Sequence, residues 1–133
     1  MLDWMKYRWQ LRRLEGEADR IRVDYAKHRK GLSGNKLEHL HAEESSVVWP
    51  ILEEIDALKS RRFCRIANTL MVPLPDRNDK DLWEDQRYGQ GRVLTCKGIW
   101  ELNRLMRQGK RERREGLLVW LAALTGLAAV LVR

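Results

Sequence analysis

Residues 4–35 read WMKYRWQLRRLEGEADRIRVDYAKHRKGLSGN, and this stretch decides the fold. Its apolar and aromatic side chains recur at alternating spacings of three and four residues, and charged side chains fill the positions between them. That spacing is typical of the face of a long helix packed against a second helix. We call this face the helix-packing seam; it consists of Trp4, Tyr7, Leu11, Leu14, Ala18, Ile21 and Tyr25.

A cluster of turn-forming residues, GLSGN at 31–35, ends this helix, and a second run with heptad-like spacing follows it. Two long helices joined by a short loop pack antiparallel, so residues 1–72 are predicted to form a helical hairpin. Pro50 lies inside the second run, where it cannot donate a backbone hydrogen bond. We expect either a kink or the restart of a helix at this position.

A proline-containing connector is predicted for residues 73–95. The sequence VPLPD at 72–76 forces extended backbone and ends the helical region, and the mainly polar residues after it predict a surface loop through residue 84. Residues 86–94 (QRYGQGRVL) form two short stretches around glycines, which predicts a small β-hairpin or a single strand. Thr95 is then expected to cap the N-terminus of a third helix.

The chain ends in an apolar run, GLLVWLAALTGLAAVLVR at 116–133, that follows a basic segment. A hydrophobic run of about 17 to 25 residues can cross the hydrocarbon core of a bilayer as a helix. We therefore expect a basic juxtamembrane helix at 96–115 and a single transmembrane anchor at 116–133; the alternative is a helix buried in a soluble bundle or oligomer. The predicted fold is mainly α: an antiparallel helical hairpin, a short extended or β-hairpin connector, and a long C-terminal helix that runs into the anchor.

Positive charge is concentrated next to this anchor. The chain of 133 residues has a net charge of +7, and six of the eleven residues from 104 to 114 are basic. Under the positive-inside rule such a flank keeps the N-terminal part in the cytoplasm, which predicts a single-pass protein of the inner (cytoplasmic) membrane. Anionic lipid headgroups are expected to bind Arg107, Lys110, Arg111, Arg113 and Arg114.

Small residues recur within the anchor. Ala122, Gly126 and Ala129 lie on one helical face, in a spacing that permits close approach of two membrane helices. This pattern predicts a membrane packing face and self-association through it.

Tryptophan is frequent in the part of the chain before the anchor. Trp4 and Trp100 fall on predicted seams and are expected in the core, whereas Trp9 and Trp83 fit no stripe. An exposed tryptophan often contacts a partner, so the latter two are predicted to mark a partner surface.

No residue cluster in the sequence predicts catalysis or metal binding. His39 and His41 point to different sides of a helix, so no convergent metal site is predicted from them and the neighbouring glutamates. Cys64 and Cys96 are far apart and form no CxxC pair, which predicts reduced thiols. We expect no enzyme activity, no metal, no cofactor and no small-molecule substrate.

One short segment carries a family resemblance. Leu94-Thr-Cys-Lys-Gly98 resembles the LTxxG junction of winged-helix regulators of the MarR and PadR type, in which the last wing strand passes into a helix. The resemblance implies a wing that contacts the DNA backbone through Arg87 and Arg92. The longer pattern of VPLP, an acidic loop with a tryptophan, LTxxG and a basic run into an apolar tail is similar to small membrane-anchored proteins of proteobacteria and their mobile elements. That similarity implies an architecture and no activity.

These patterns predict a non-enzymatic, membrane-anchored cytoplasmic scaffold or adaptor that acts through helical surfaces. Its expected partners are another protein or a second copy of the chain, together with anionic membrane lipid, rather than nucleic acid. Two alternatives stay open: an accessory subunit of a larger membrane complex, and a membrane-tethered, winged-helix-like regulator that binds nucleic acid.

Overall fold

The part of the chain that a computed structural model describes has three helices and one two-stranded antiparallel hairpin. The structure describes the backbone of residues 2–89 and 91–131 and the side chains of 2–89 and 91–123. Helices account for 74% of the protein, which confirms the mainly α class. In chain order the elements are α1 (Leu2–His28), α2 (Asn35–Thr69), β1 (Trp83–Asp85), β2 (Arg92–Leu94) and α3 (Cys96–Leu131).

Helices α1 and α2 form the helical hairpin that the sequence predicts. Asp3 at the start of α1 lies 3.7 Å from Arg65 near the end of α2, and Arg29 just after α1 pairs with Glu44 early in α2. Residues early in one helix thus meet residues late in the other, so the helices are antiparallel. Gly34 precedes α2 with a φ of 61°, in the left-handed region that glycine adopts without a steric cost.

The contact between α1 and α2 buries only part of the helix-packing seam. Leu14 and Ala18 are buried in the middle of α1, and Tyr7, Leu11, Ile21 and Tyr25 are half-buried on either side of them. Trp4 departs from the expectation because 47% of its surface is exposed. Trp4 lies in the first turn of α1, where its ring lines an open groove and has the Arg8 guanidinium 4.8 Å from its centroid.

Helix α2 runs through Pro50 as one continuous element. The proline has no N–H to donate to the Ser46 carbonyl, but the turns on both sides keep their helical hydrogen bonds. A restart of the helix at Pro50 is therefore wrong.

The connector forms a short hairpin that begins earlier than the sequence indicates. β1 pairs antiparallel with β2, with Trp83 opposite Leu94 and Asp85 opposite Arg92. Residues 77–84 were expected to be a surface loop, but Trp83 is only 4% exposed and belongs to the core. Its indole N–H donates to the Pro75 carbonyl at 3.3 Å, so the polar edge of the buried ring is satisfied.

The main core lies where the end of α2, the hairpin and the start of α3 meet. Its fully buried centre is Leu102, with 0% exposure. The buried members of this cluster are Ala67, Val72, Trp83, Leu94, Leu102 and Met106.

Each defined residue of the LTCKG segment has a structural role at the junction of β2 and α3. Leu94 is buried in the core, and Thr95 caps α3 because its Oγ1 accepts a hydrogen bond of 3.0 Å from the N–H of Gly98. A Cβ at Gly98 would lie 2.2 Å from the Leu82 carbonyl oxygen, so no larger residue fits without movement of the backbone. The segment fixes the direction in which α3 leaves the hairpin.

Helix α3 continues without a break to Leu131. Among the residues that the structure describes, no helix is both long and apolar enough to cross a membrane. The predicted anchor at 116–133 extends past these residues, since the side chains of 124–133 are outside the described part of the chain. The side chains of Gly126 and Ala129, which belong to the predicted membrane packing face, are among those outside the described part. The third member of that face, Ala122, is exposed.

Candidate interaction surfaces

The loop of the hairpin is fastened to α2 by one carboxylate. Glu53 accepts hydrogen bonds from the backbone N–H groups of Arg87 (2.8 Å), Tyr88 (2.8 Å) and Gly89 (3.1 Å), and its own carbonyl accepts one from the Gln86 side chain (2.9 Å). Partial burial would raise the pKa of this carboxyl, but the three N–H donors, with the nearby charge of Arg87, together hold the pKa below its ordinary value. The loop is thereby held beside α2.

Two exposed ion pairs brace the ends of the hairpin. Asp81 binds the Lys97 ammonium at 2.6 Å, and this hydrogen bond lowers the pKa of Asp81 and raises that of Lys97. Asp85 binds Arg92 at 2.7 Å, and this hydrogen bond lowers the pKa of Asp85. Arg92 also donates to the Arg77 carbonyl, so its guanidinium is engaged within the protein.

A groove of about 670 Å³ lies between α2 and the hairpin. Arg61 and Arg65 line it from α2, and Arg77 lines it from the connector, where its guanidinium lies 5.7 Å from the Trp83 ring centroid. Tyr88, which is 52% exposed, lines the groove from the hairpin loop. We call this the hairpin groove; its lining combines guanidinium groups with aromatic rings.

Cys64 also lines the hairpin groove and is half-buried. Burial raises the pKa of its thiol above the ordinary value, although the nearby charge of Arg77 acts in the opposite direction. The thiolate, which is the reactive form, is therefore disfavoured at neutral pH.

A second groove of about 700 Å³ lies between the start of α1 and the end of α2. Trp4, Trp9 and Arg13 line it from α1. The Arg13 guanidinium lies 5.6 Å from the Trp9 ring centroid, and that of Arg8 lies 4.8 Å from the Trp4 centroid. We call this the helical groove; like the hairpin groove, it combines aromatic rings with positive charge.

The two grooves adjoin across α2. Arg61 and Arg65, which are one helical turn apart, line both grooves together with Glu54. The combined lining has seven basic and three acidic side chains, so it holds a large share of the net charge of +7. The basic residues are Lys6, Arg13, Arg61, Arg62, Arg65, Arg77 and Arg92, and the acidic ones are Asp3, Glu53 and Glu54.

Helix α3 has two different faces. Leu102 and Met106 pack into the core, and a Cβ at Gly109 would lie 3.1 Å from Val72 on the same side. The opposite face is exposed, and its residues follow steps of three and four. They are Trp100, Arg104, Arg107, Arg111 and Arg114.

All five residues predicted to bind lipid headgroups are exposed, but they differ in their contacts. Arg113 donates a hydrogen bond of 2.8 Å to the carbonyl of Leu70, the C-cap residue of α2. Arg111 pairs with Glu115 at 3.0 Å, and the Arg107 side chain donates to the Asn103 carbonyl at 3.4 Å. Among the described residues, no side-chain hydrogen bond or ion pair involves the remaining two, Lys110 and Arg114.

Beyond these residues α3 presents apolar side chains on every side. Five consecutive residues are between 46% and 70% exposed, and because a helix turns 100° per residue they cover its whole circumference. They are Leu117, Leu118, Val119, Trp120 and Leu121.

Tryptophans are placed differently from the sequence expectation. Trp9 is 63% exposed as predicted, but Trp83, expected on the surface, is buried, and Trp100, expected on a seam, is 59% exposed. Trp49 on α2 is also exposed, at 53%. Gly98 and Leu102 lie on the buried face of α3. Trp100, halfway between them, therefore lies on the exposed face.

The described residues bring together no group of three histidine, cysteine or carboxylate side chains that could hold a metal ion. His39 is exposed, and His41 lies 3.9 Å from Glu44, whose carboxylate already binds Arg29. Both histidines are thus exposed, on different sides of α2.

No family model matches the chain, and no curated protein or solved structure matches it either. The surfaces described above therefore supply the basis for a function.

Proposed function

We propose that the protein is a non-enzymatic adaptor, anchored in the inner membrane by the end of α3 with its body in the cytoplasm. The construction of α3 carries this proposal. The helix is fixed to the core through Leu102 and Met106, passes through the basic residues 104–114, and then exposes apolar side chains all round at 117–121.

Apolar side chains that are exposed on every side of a helix, as at 117–121, are costly in water. Removing a large apolar side chain from water is worth roughly 1.5 to 3 kcal/mol, so five such residues favour an apolar environment by on the order of 10 kcal/mol. A bilayer supplies that environment on every side of the helix. The apolar run continues in the sequence to Val132, which supports a membrane-spanning length.

The basic residues before the apolar run support both the attachment and its direction. Lys110 and Arg114 are exposed about one helical turn apart, and Arg114 lies three residues before Leu117. Each basic side chain near an anionic bilayer contributes about 1 kcal/mol to binding. The positive-inside rule places this flank, and with it α1, α2 and the hairpin, on the cytoplasmic side.

Exposed tryptophans support the adaptor role. Trp9, Trp49 and Trp100 lie on three different helices, and each is more than half exposed. Tryptophan is enriched among the residues that dominate binding energy at protein interfaces, since it buries a large rigid surface at a small cost in side-chain entropy. One or more of these rings is expected to contact a partner protein or a second copy of the chain.

Site-specific photocrosslinking in cells tests this role. A photoreactive amino acid replaces Trp49, and the matched control carries it at Lys27, which is exposed near the end of α1. The proposal expects a discrete adduct from position 49 and none from position 27. The same photoreactive amino acid is placed at positions 9 and 100 in two further variants. If none of the three positions gives an adduct and the chain is monomeric in detergent, the adaptor role is contradicted.

The alternative is an accessory subunit of a larger membrane complex, with the tail packed against other membrane helices. Ala122 is exposed at the start of the small-residue face that continues in the sequence to Gly126 and Ala129. This alternative predicts that other membrane proteins copurify with the chain in stoichiometric amounts in mild detergent. It also predicts that Gly126→Leu abolishes this copurification, which a lone anchor does not predict.

A further inference from the structure

The two grooves on either side of Arg61 and Arg65 have no role in the adaptor proposal apart from the exposed ring of Trp9. We propose that they form one continuous binding site for single-stranded nucleic acid. The inference goes beyond the proposed function and does not depend on the tail.

The charge of the lining matches a phosphate backbone. Arg61 and Arg65 are exposed on the ridge of α2 between the grooves, and Arg13 and Arg77 extend the positive surface to either side. Of the three acidic groups, Glu53 is bound by three backbone N–H groups of the hairpin loop, Asp3 lies 3.7 Å from Arg65, and Glu54 lines both grooves, so positive charge remains in excess. A phosphodiester chain that crosses α2 therefore meets guanidinium groups along its path.

Aromatic rings lie on both sides of that path. Trp4 and Trp9 stand on the α1 side with exposures of 47% and 63%, and Tyr88 stands on the hairpin side with 52%. Proteins that bind single strands combine a basic groove with aromatic rings on which unpaired bases stack. Here phosphates would lie over the α2 ridge and bases on the flanking rings.

This arrangement favours a single strand over a duplex or an acidic peptide. A duplex keeps its bases stacked inside, so it would use the arginines and leave the rings without a partner. An acidic peptide would likewise satisfy the charges alone. The site also differs from a winged-helix contact, because Arg92 of the hairpin is engaged by Asp85 and by the Arg77 carbonyl.

The neighbouring contacts hold the site in shape. The Glu53 hydrogen bonds fix the loop that bears Tyr88, and Arg62 lies 4.2 Å from the Tyr7 ring centroid and links α1 to α2. The walls on both sides of the ridge are thus positioned before a ligand binds, which lowers the cost of ordering the site.

Fluorescence anisotropy of the full chain in detergent micelles tests the proposal with a labelled oligothymidylate of about 20 nucleotides, long enough to span both grooves. We expect binding that weakens as salt rises. The double variant Arg61→Gln/Arg65→Gln should weaken it by about tenfold or more, through loss of phosphate contacts. Trp9→Ala should weaken it by about fivefold, through loss of a stacked base.

The matched control is Arg20→Gln/Lys27→Gln, which removes the same charge from exposed positions on the distant half of α1. It should change the affinity by less than about twofold. Thermal unfolding of every variant verifies the fold, and Arg61 and Arg65 are exposed, so their replacement leaves the core intact. Absence of binding at low salt, equal losses in the double variant and the control, or tighter binding of duplex or polyglutamate than of the single strand would each overturn the proposal.

Discussion

The carboxylate of Glu53 on α2 accepts a hydrogen bond of 2.8 Å from the backbone N–H of Tyr88, 35 residues later in the chain. Arg87 and Gly89 donate to the same carboxylate. A loop that has no regular structure of its own is therefore fixed to α2 through one residue, Glu53, whose backbone carbonyl also accepts a hydrogen bond from Gln86. Glu53 therefore holds the loop that lines the hairpin groove, and we expect it to contribute to the stability of the fold.

Replacement of that carboxylate should loosen the loop. In Glu53→Gln one oxygen becomes an amide N–H₂ that faces three backbone donors, so we expect a lower melting temperature at pH 7. The control is Glu54→Gln on the next residue, for which no hydrogen bond to the loop occurs among the described residues. A melting temperature equal to that of the control would contradict the role of Glu53.

The same carboxylate should make stability depend on pH. Its pKa is lowered in the folded state, so its contribution is present above the pKa of the unfolded chain and is lost as pH falls through the lower folded value. The difference in melting temperature between wild type and Glu53→Gln should therefore shrink as pH falls below about 4.5, the ordinary value of a glutamate. A difference that grows with acidity would contradict the assignment.

The close approach of Gly98 to Leu82 should make this glycine sensitive to substitution. In Gly98→Ala the new Cβ would lie 2.2 Å from the Leu82 carbonyl oxygen, which is backbone and cannot move aside as a side chain would. We expect a loss of about 1 to 3 kcal/mol in the free energy of unfolding. Gly16→Ala is the control, because its Cβ meets nothing within 4 Å in the middle of α1 and should stabilise by roughly 0.5 to 1 kcal/mol. Equal effects of the two changes would rule out the close approach.

Leu102 should dominate the stability of the main core. Its side chain has no exposed surface, so Leu102→Ala should cost about 2 to 5 kcal/mol through lost burial and a residual cavity. Val23→Ala on α1 removes apolar atoms that are already 57% exposed and should change stability by less than about 0.5 kcal/mol. Chemical denaturation measures the free energy of unfolding of both variants. A small effect of Leu102→Ala would contradict the role of Leu102 in the main core.

Arg113 and Arg114 are adjacent, but we expect Arg113 to contribute to the stability of the fold and Arg114 to the binding of anionic lipid. Arg113→Ala removes the hydrogen bond to the Leu70 carbonyl at the end of α2 and should cost about 0.5 to 1.5 kcal/mol of stability. Arg114→Ala should leave stability unchanged within about 0.5 kcal/mol and weaken binding to anionic vesicles by roughly fivefold. Unfolding and vesicle sedimentation are the two measurements. If both variants lose only stability, the lipid role of Arg114 is wrong.

The helical hairpin could be predicted because its signal is local. Apolar spacing in residues 4–25, the glycines of the turn and the second heptad-like run after it identify two helices and their antiparallel packing from neighbouring residues alone. Thr95 is similar, since a threonine before a helical run is a local N-cap signal, and its hydroxyl oxygen does accept the Gly98 N–H. Such signals need no knowledge of distant contacts.

Trp83 and Trp100 show where local signals fail. Trp83 stands among polar residues, yet pairing of β1 with β2 places it opposite Leu94 and inside the core. Trp100 stands among apolar residues, yet the inner face of α3 is taken by Leu102 and Met106. Each position depends on which element packs against it, which spacing in one segment does not specify.

The grooves beside α2 were equally hidden in the sequence. Trp9, Arg61 and Tyr88 are separated by tens of residues, and only the hairpin of α1 and α2 and the Glu53 contacts bring them to one surface. The sequence therefore favoured protein and lipid partners over nucleic acid. No motif or spacing in the chain marks these residues as a group.

Membrane fractionation tests the central claim most directly. The full chain and a chain that lacks residues 116–133 are expressed in parallel, and membranes are washed with alkaline carbonate to release peripheral proteins. The account predicts that the full chain stays in the washed membrane pellet and that the shortened chain appears in the supernatant. A full chain that appears in the supernatant would contradict the anchor and, with it, the proposal of a membrane-held adaptor.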